Sequence, residues 1–515
     1  MTPRRTYHLI LWFLLLTGLT SDAQQYTLPL NRTLQLEVDR GVALGDTAAH
    51  LGLKPLLQSE LDLTHVFRYE KDSTKYYYRA TVKLFRDNLF IVDQPNFKAT
   101  LDPLFDLNVG HDFSDITGLQ DTALIYTNTR GAVLMGQIGK AVSFQSFIFE
   151  NQSHFPTYLT DYIDRYEVVP GQGRIKEFNV NEFDYNSSYG WVSFTPITPL
   201  NIQVGHGKHF VGHGYRSVLL SDAASNYPYL KAHYNALQGK LHYDWMYAGL
   251  ITLKRLPRGE VPESLFRRKG LSMYYLSYVP HPKVEVGLFE AVVWERVDTS
   301  GTRPLEAAQF IPVIGVNSAI QGMDAHNNTL LGVNFRVNPL HQLMVYGQLA
   351  LDNFNGKVGY QAGIRAFDVL MPFLHLQLEY NRATSGTYAA TYADQSYTHM
   401  NQSLAHPSGS QFEEIIGAVN YRHRRWFGQV KAHVLLHEEG TAGSLTPELV
   451  QPGFPGVSQT NIIDAQVGIF VNPKSTLNFS VGFIHRYWKL SGVDHRTDWL
   501  YFTLRTALFN KYYDF

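Results

Sequence analysis

The sequence has no cysteine. Disulfide cross-links, thiolate metal centres and the acylated cysteine of a bacterial lipoprotein are excluded together. An excess of charge is missing as well: 44 Lys and Arg stand against 45 Asp and Glu, a formal net charge of -1. The concentrated basic surface of a nucleic-acid-binding protein is therefore absent, and no nucleic-acid partner is expected. Beyond the extreme N-terminus there is no uninterrupted apolar stretch near the roughly 18 residues that a membrane helix needs.

What is present first is an address. Arg4 and Arg5 precede an apolar run from Ile10 to Leu19, and the small residues Ser21 and Ala23 come just before Gln24. That is the pattern of a secretory signal peptide, with cleavage expected near Ala23. Residues 24–96 are mixed in character. Leu51 to Leu57 is interrupted by Pro55, and Lys75 to Arg79 is polar and tyrosine-rich. This stretch is expected to form a short N-terminal periplasmic segment. Aromatics are abundant, with 32 Tyr and 31 Phe beside 40 Gly, a composition suited to strands that meet lipid on one side.

From Phe97 onward the pattern becomes dyad alternation. Leu374, Leu376, Leu378 and Tyr380 alternate with His375, Gln377, Glu379 and Asn381. Leu331, Val333, Phe335 and Val337 alternate with Gly332, Asn334, Arg336 and Asn338, and Leu477, Phe479 and Val481 with Asn478, Ser480 and Gly482. Such segments are strands with one apolar and one wet face. A soluble sandwich and a membrane barrel share this feature, and the connections decide between them. Short Gly- or Pro-bearing links at Gly139-Lys140, Pro196 to Pro199, Gln238-Gly239, Pro280 to Pro282, Asn338-Pro339, Met371-Pro372 and Asn472-Pro473 alternate with long ones. The long links run at roughly 152–181, 205–228, 256–267, 296–326, 384–412, 438–459 and 488–496. Short periplasmic turns opposite long outer loops are the asymmetry of an outer-membrane barrel. The expected fold is all-β, a transmembrane antiparallel barrel of about 18 strands over residues 97–515 with inward-folded loops, seated in lipid in the outer membrane of a Gram-negative cell. The chain ends in "NKYYDF", and a terminal aromatic at Phe515 resembles the signal read by the barrel insertion machinery. Phe515 has the opposite parity to Leu500, Phe502, Leu504 and Leu508, so a bulge or short tail is required.

Two outer loops are dense in polar and aromatic groups. In "GHGKHFVGHGYRSVLLSDAASNYPYLK", residues 205–231, His206, His209 and His213 could suggest zinc. No carboxylate completes the set before Asp222, however, and an irregular glycine loop does not aim ligands as a helix does, so no metal and no cofactor are expected. The glycines lack the strand-to-helix context of a phosphate cradle. Ser217 and Ser221 lack a nucleophile-elbow pattern, which leaves an outer-membrane lipid or glycan hydrolase as a lower-ranked alternative to a non-enzymatic barrel. The simplest reading is a loop that bends inward and narrows the pore. The second loop, "YTHMNQSLAHPSGSQFEE" at residues 397–414, sets rings beside amides and carboxylates, as sugar recognition requires.

"GHGYRSVLLSDAASNYPYL" resembles the hallmark segment of the Wzi-like capsule-assembly barrels, in the RemB-like branch associated with gliding motility. "YTHMNQSLAHPSGSQFEE" and the terminal "RTALFNKYYDF" resemble further blocks of that branch, and the likeness runs from about Pro103 to Phe515. The resemblance implies a partly plugged outer-membrane barrel that binds or anchors extracellular or capsular polysaccharide, with a surface role in adhesion or gliding. Loop position makes Tyr215, Arg216, Asp222, Asn226, Tyr227, Tyr397, His399, Asn401 and His406 the candidate polysaccharide contacts. The alternative is a weakly selective porin-like channel, since the inward positions Arg336, Arg365, Glu379, Lys431 and Arg505 carry mixed charge.

Overall fold

A computed structural model describes residues 26–45, 47–61, 79–114, 124–255, 266–298, 301–303, 307–316, 327–352, 356–390, 393–439, 456–506 and 509–515. The signal peptide lies outside the described residues, as does most of the tyrosine-rich stretch.

The alternating segments form a closed antiparallel barrel of 18 strands. In chain order they are β1 (Phe97–Asp112), β2 (Ile125–Ile138), β3 (Val142–His154), β4 (Tyr189–Ile197), β5 (Leu200–Gly207) and β6 (Tyr227–Ala236). There follow β7 (Leu241–Arg255), β8 (Phe266–His281), β9 (Val284–Glu295), β10 (Asn327–Leu340), β11 (Leu343–Asp352) and β12 (Lys357–Ala366). The series ends with β13 (Leu374–Ala383), β14 (Phe412–His423), β15 (Trp426–Glu439), β16 (Gly456–Asn472), β17 (Leu477–Leu490) and β18 (Val493–Thr506). β18 pairs with β1 from Trp499↔Asp112 to Arg505↔Asp106, which closes the ring and leaves no free edge in the wall.

Alternation sorts the two faces as expected. Val333 and Phe335 are each 37 % exposed on the outside, whereas the neighbouring Asn334 and Arg336 are buried. Leu376, Leu378, Val430, Ile463, Val467, Phe479 and Phe502 continue the exposed apolar belt around the barrel. A belt of this extent is stable only against hydrocarbon, so the protein is an outer-membrane barrel. Most of the expected link parities hold, with one correction. The long link expected at 488–496 is a tight turn, because β17 and β18 pair up to Leu490↔Val493. Polar residues there are solvated strand ends that extend beyond the bilayer.

The described part of the segment expected to stand apart in the periplasm is placed differently. Helix α1 (Arg32–Gly45) and the chain after it run inside the short-turn half of the barrel. Thr27 donates to Gln145 at 2.9 Å, Asp39 pairs with Arg365, and Arg40 with Asp368 at 2.7 Å. The Glu285 carboxylate accepts the Leu51 and Gly52 amides at 3.0 and 2.8 Å. Leu53 and Lys54 form a two-residue ladder with Val211 and Phe210 of the first dense loop. A second helix, α2 (Arg79–Phe85), touches the turn side, where Asn472 donates to the Lys83 carbonyl at 3.3 Å.

A short tail intervenes before Phe515, as the parity required. After β18, residues 509–515 turn into the lumen. Phe509 stacks on Phe149 with ring centroids 5.5 Å apart, and Phe515 meets Tyr158 and Tyr162 of an outer-loop helix α3 (Thr157–Tyr166). Phe515 therefore lies against the outer-loop helix in the folded protein and not on the lipid face of the last strand.

Candidate functional site

The lumen is filled from both ends. The N-terminal segment enters from the short-turn side, the loops around 208–226 and 384–411 enter from the long-loop side, and the tail 509–515 lies beside them. Apolar contacts hold part of this plug: Val218, Leu219 and Leu220 bury against Met246, Ala248, Met273, Ala291 and Ala350 of the wall. Those inward positions are small or flexible, which leaves room for the loop.

At the centre sits Arg216, 1 % exposed. Its guanidinium reaches Glu414 of β14 at 3.0 Å and Asp514 of the tail at 3.1 Å, and it also donates to the Asp514 carbonyl at 2.5 Å. The backbone amides of Tyr215 and Arg216 donate to Glu379 of β13 at 2.6 and 2.9 Å. A Cβ at Gly214 would lie 2.6 Å from the same carboxylate, so this approach requires glycine. The Tyr215 hydroxyl meets Asp514 and accepts from Lys431 of β15 at 2.9 Å, while Arg32 of α1 lies over the Tyr215 ring at 3.6 Å. Arg216 thus ties together a loop, two strands and the tail, and its neighbour Tyr215 adds the N-terminal helix. Burial alone would lower its pKa, but the Asp514 and Glu414 carboxylates more than reverse that and hold it well above the ordinary value. Burial would raise the Asp514 carboxyl, and Arg216 followed by Lys431 draws it far down instead.

The remaining candidates are engaged in the same interior. Asp222 accepts from the Tyr512 hydroxyl and from Asn510 at 2.9 Å. Asn226 donates to the Ser187 carbonyl at 2.9 Å. Tyr227 stacks with His209, centroids 6.0 Å apart, and Tyr397 with Tyr388 at 6.1 Å. His399 accepts the Ile251 amide on Nδ1 at 3.2 Å, so its Nε2 carries the proton and donates to the Asn226 carbonyl at 3.0 Å. His406 accepts the Ser408 amide on Nδ1 and donates from Nε2 to Glu414 at 2.8 Å. Asn401, half-buried, donates to the Tyr166 carbonyl at 3.3 Å and so attaches α3 to the second loop. Burial pushes His399 down to about 3 and lowers His406 despite its carboxylate partner.

All of these residues except Asn401 are buried, at 5 % exposure or less. They were expected to face a polymer outside the cell, and the structure instead uses them to build the plug. The two loops do meet, as their shared parity implied: Ser221 N donates to the Leu404 carbonyl at 2.7 Å and His399 reaches Asn226. The three histidines of the opening stretch do not converge. His206 is exposed on the outer rim, His209 packs edge-on to Tyr229 at 4.6 Å, and His213 meets Asn334 at 3.1 Å. Ser217 donates to the Val211 carbonyl at 2.6 Å and accepts the Leu219 and Leu220 amides, a turn-forming role. Glu414 and Asp514 are as central as Arg216. Both sit in the quoted stretches, but only the folded strand and tail reveal that they converge.

Fold and site together define a plugged outer-membrane β-barrel. No protein-family model and no curated protein matches the sequence. Among solved structures the chain is similar to Escherichia coli Wzi, described as an outer-membrane protein involved in group 1 capsule assembly and a carbohydrate-binding β-barrel. The TM-score is 0.57 at 12 % identity, covering 93 % of this chain and 99 % of that one, a likeness of fold. Pseudomonas aeruginosa OprD (TM-score 0.42, 10 % identity, 81 % and 98 % covered) and a BenF-like porin from Pseudomonas fluorescens (0.45, 9 %, 79 % and 98 %) match more loosely.

Proposed function

We propose that this barrel binds or anchors an extracellular or capsular polysaccharide at its outer face and does no enzymatic chemistry. The observation that carries the reading is the filled lumen: buried ion pairs at Asp39, Arg216 and Asp514 attach the plug to the neighbouring strands β12, β14 and β15, and the Thr27–Gln145 hydrogen bond attaches it to β3 across the barrel. A tube closed in this way serves an attachment role better than solute flow. Support also comes from the fold shared with Wzi, itself described as carbohydrate-binding. The buried candidates then act as a frame, and the contact surface falls on what the frame lifts outward. On α3, Tyr162 and Tyr166 lie with ring centroids 4.4 Å apart, flanked by the exposed Asp161, Asp164 and Arg165. Half-exposed rings beside carboxylates and a guanidinium suit the CH faces and hydroxyls of sugars. Each contact is weak, but a repeating polymer meets many copies of the protein. The roles of Ser217 and His209 within the plug support the non-enzymatic reading. A part in adhesion or gliding belongs to this reading through the RemB-like resemblance alone.

The test combines two measurements. Purified protein in planar bilayers is expected to be nearly silent, and cells lacking it are expected to lose stained surface glycan, with spreading assayed alongside. Large steady currents together with unchanged glycan retention would replace this reading with the porin.

A further inference from the structure

Near the short-turn end of the lumen, a second polar cluster lies apart from the Arg216 lattice. His233 of β6 and His242 of β7 flank the tight turn at Leu237–Gly239 and point inward, and Glu60 reaches them from the N-terminal segment. One ligand atom from each of the three lies within 4.8 Å of the others. His233 Nε2 is 2.9 Å from Glu60 Oε1, and His242 Nδ1 is 3.7 Å from Glu60 Oε2.

We propose that Glu60, His233 and His242 form a binding site for a divalent transition metal of the zinc class, which clamps the N-terminal segment to the barrel wall. Two imidazoles and a carboxylate are the donor set of such metals, whereas calcium and magnesium call for oxygen throughout. Tetrahedral bonds of about 2.0–2.1 Å separate ligand atoms by roughly 3.4 Å. From separations of at most 4.8 Å the donors close by about 1.4 Å or less, while His233 and Glu60, at 2.9 Å, move apart by about 0.5 Å, adjustments within the reach of side-chain rotation.

The surroundings match what such a site requires. His233 Nδ1 faces Asp244 of β7 at 3.0 Å, which fixes the ring and leaves Nε2 to be the ligand; a carboxylate behind a metal-bound histidine is the usual orienting device. A proton between His233 Nε2 and Glu60 occupies the position that the metal would take, so binding releases a proton. His50 lies flat on His242, centroids 3.6 Å apart and 14° from parallel, and its two nitrogens are held by Ser277 at 2.7 Å and the Gly239 carbonyl at 2.9 Å. His50 is thus a buttress for His242. Lys231 approaches Asp244 at 3.8 Å, so Glu60 and Asp244 outweigh it by one negative charge, which favours a cation. Leu53, Pro55, Leu56 and Leu57 shield the cluster on one side. The consequence is specific, because Glu60 is the one member of the set contributed by the plug: bound metal fastens Tyr26–Leu61 to β6 and β7.

The experiment uses the folded, tag-free protein in detergent, stripped with EDTA and then dialysed against zinc or cobalt(II). One metal per chain is expected to be retained, with cobalt giving a visible absorption band of a low-coordinate nitrogen and oxygen site. Glu60→Gln and His242→Phe are each expected to abolish retention, the second keeping the ring stack on His50. A His485→Ala control, at the outer His485–Asp498 pair, is expected to leave it intact. Gel migration of unheated samples verifies that each variant is a folded barrel. Metal is further expected to slow amide exchange in residues 47–61 at least tenfold in the parent and not in Glu60→Gln. Absence of retained metal in the parent, or retention unchanged in both variants, overturns the proposal.

Discussion

Replacing Arg216 by methionine removes the guanidinium and keeps most of the apolar stem, so it tests the plug at its centre. Glu414 and Asp514 lose their shared partner at 3.0 and 3.1 Å while remaining buried, and His406 beside Glu414 and Lys431, which Asp514 shares with Asp464, are left to compensate. Breaking a buried ion pair from one side costs about 3–5 kcal/mol, mostly the penalty of an uncompensated interior charge. The barrel wall does not depend on this residue, so the loss falls on plug opening. At about 1.4 kcal/mol per tenfold change, opening becomes more frequent by roughly two to three and a half decades. Hydrogen exchange reads that directly. The amides of Val211 and Gly212, bonded to the Leu220 and Gly52 carbonyls, and those of Tyr215 and Arg216, bonded to Glu379, should lose protection by that factor in Arg216→Met. Arg216→Lys should fall between, since a point charge cannot serve both carboxylates in the forked geometry. Unchanged exchange in residues 205–226 of a correctly folded Arg216→Met protein would refute the claim that this ion cluster holds the plug.

Ile463, exposed near the middle of β16, should tolerate lysine poorly: Ile463→Lys is expected to destabilise insertion by about 2–4 kcal/mol in urea titrations with lipid vesicles. A Cβ at Gly332 would lie 2.2 Å from Leu219, so Gly332→Val is expected to cost about 1–3 kcal/mol of plug stability, read as faster exchange in residues 216–220 with the wall unaffected. Burial pushes His399 down to about 3 from 6.5, and opening the loop returns it to water. Between those values the open state carries more protons, so closure is fully stable above about pH 6.5 and weakens as pH falls toward 3. His213, also pushed down to about 3, titrates over the same window, and Lys269, His206 and Lys208 face His399. His399→Gln keeps one acceptor and one donor and is expected to remove up to one proton from the pH slope of exchange in residues 397–406; an unchanged slope would show that His399 does not open with the loop.

The wall was legible because lipid outside and polar interior impose a period of two that no helix shares, as in Leu374 to Asn381. The turn side was legible for a similar reason: Gly139 and Gln238 take positive φ in the tight links expected there. The plug was not legible, because inside a polar barrel a buried side chain and a wet loop side chain have the same composition. Arg216 finds its partners 198 residues away at Glu414 and 298 away at Asp514, and nothing local marks either one. Tyr26–Leu61 was placed outside the barrel for the same reason, since the carboxylate that receives its backbone, Glu285, lies more than 230 residues on. The tight turn before Val493 was missed because strand ends that rise clear of the bilayer carry loop-like residues.

Because the N-terminal segment bridges the lumen, bonded to β3 through Thr27 and to β12 on the far side through Asp39, it opposes flattening of the cylinder. A hollow pipe ovalises when pulled sideways at its rim, whereas a cross-braced one passes the load around its circumference. A sideways load on the rim would then be shared by the whole hoop of hydrogen bonds instead of prying open a single seam.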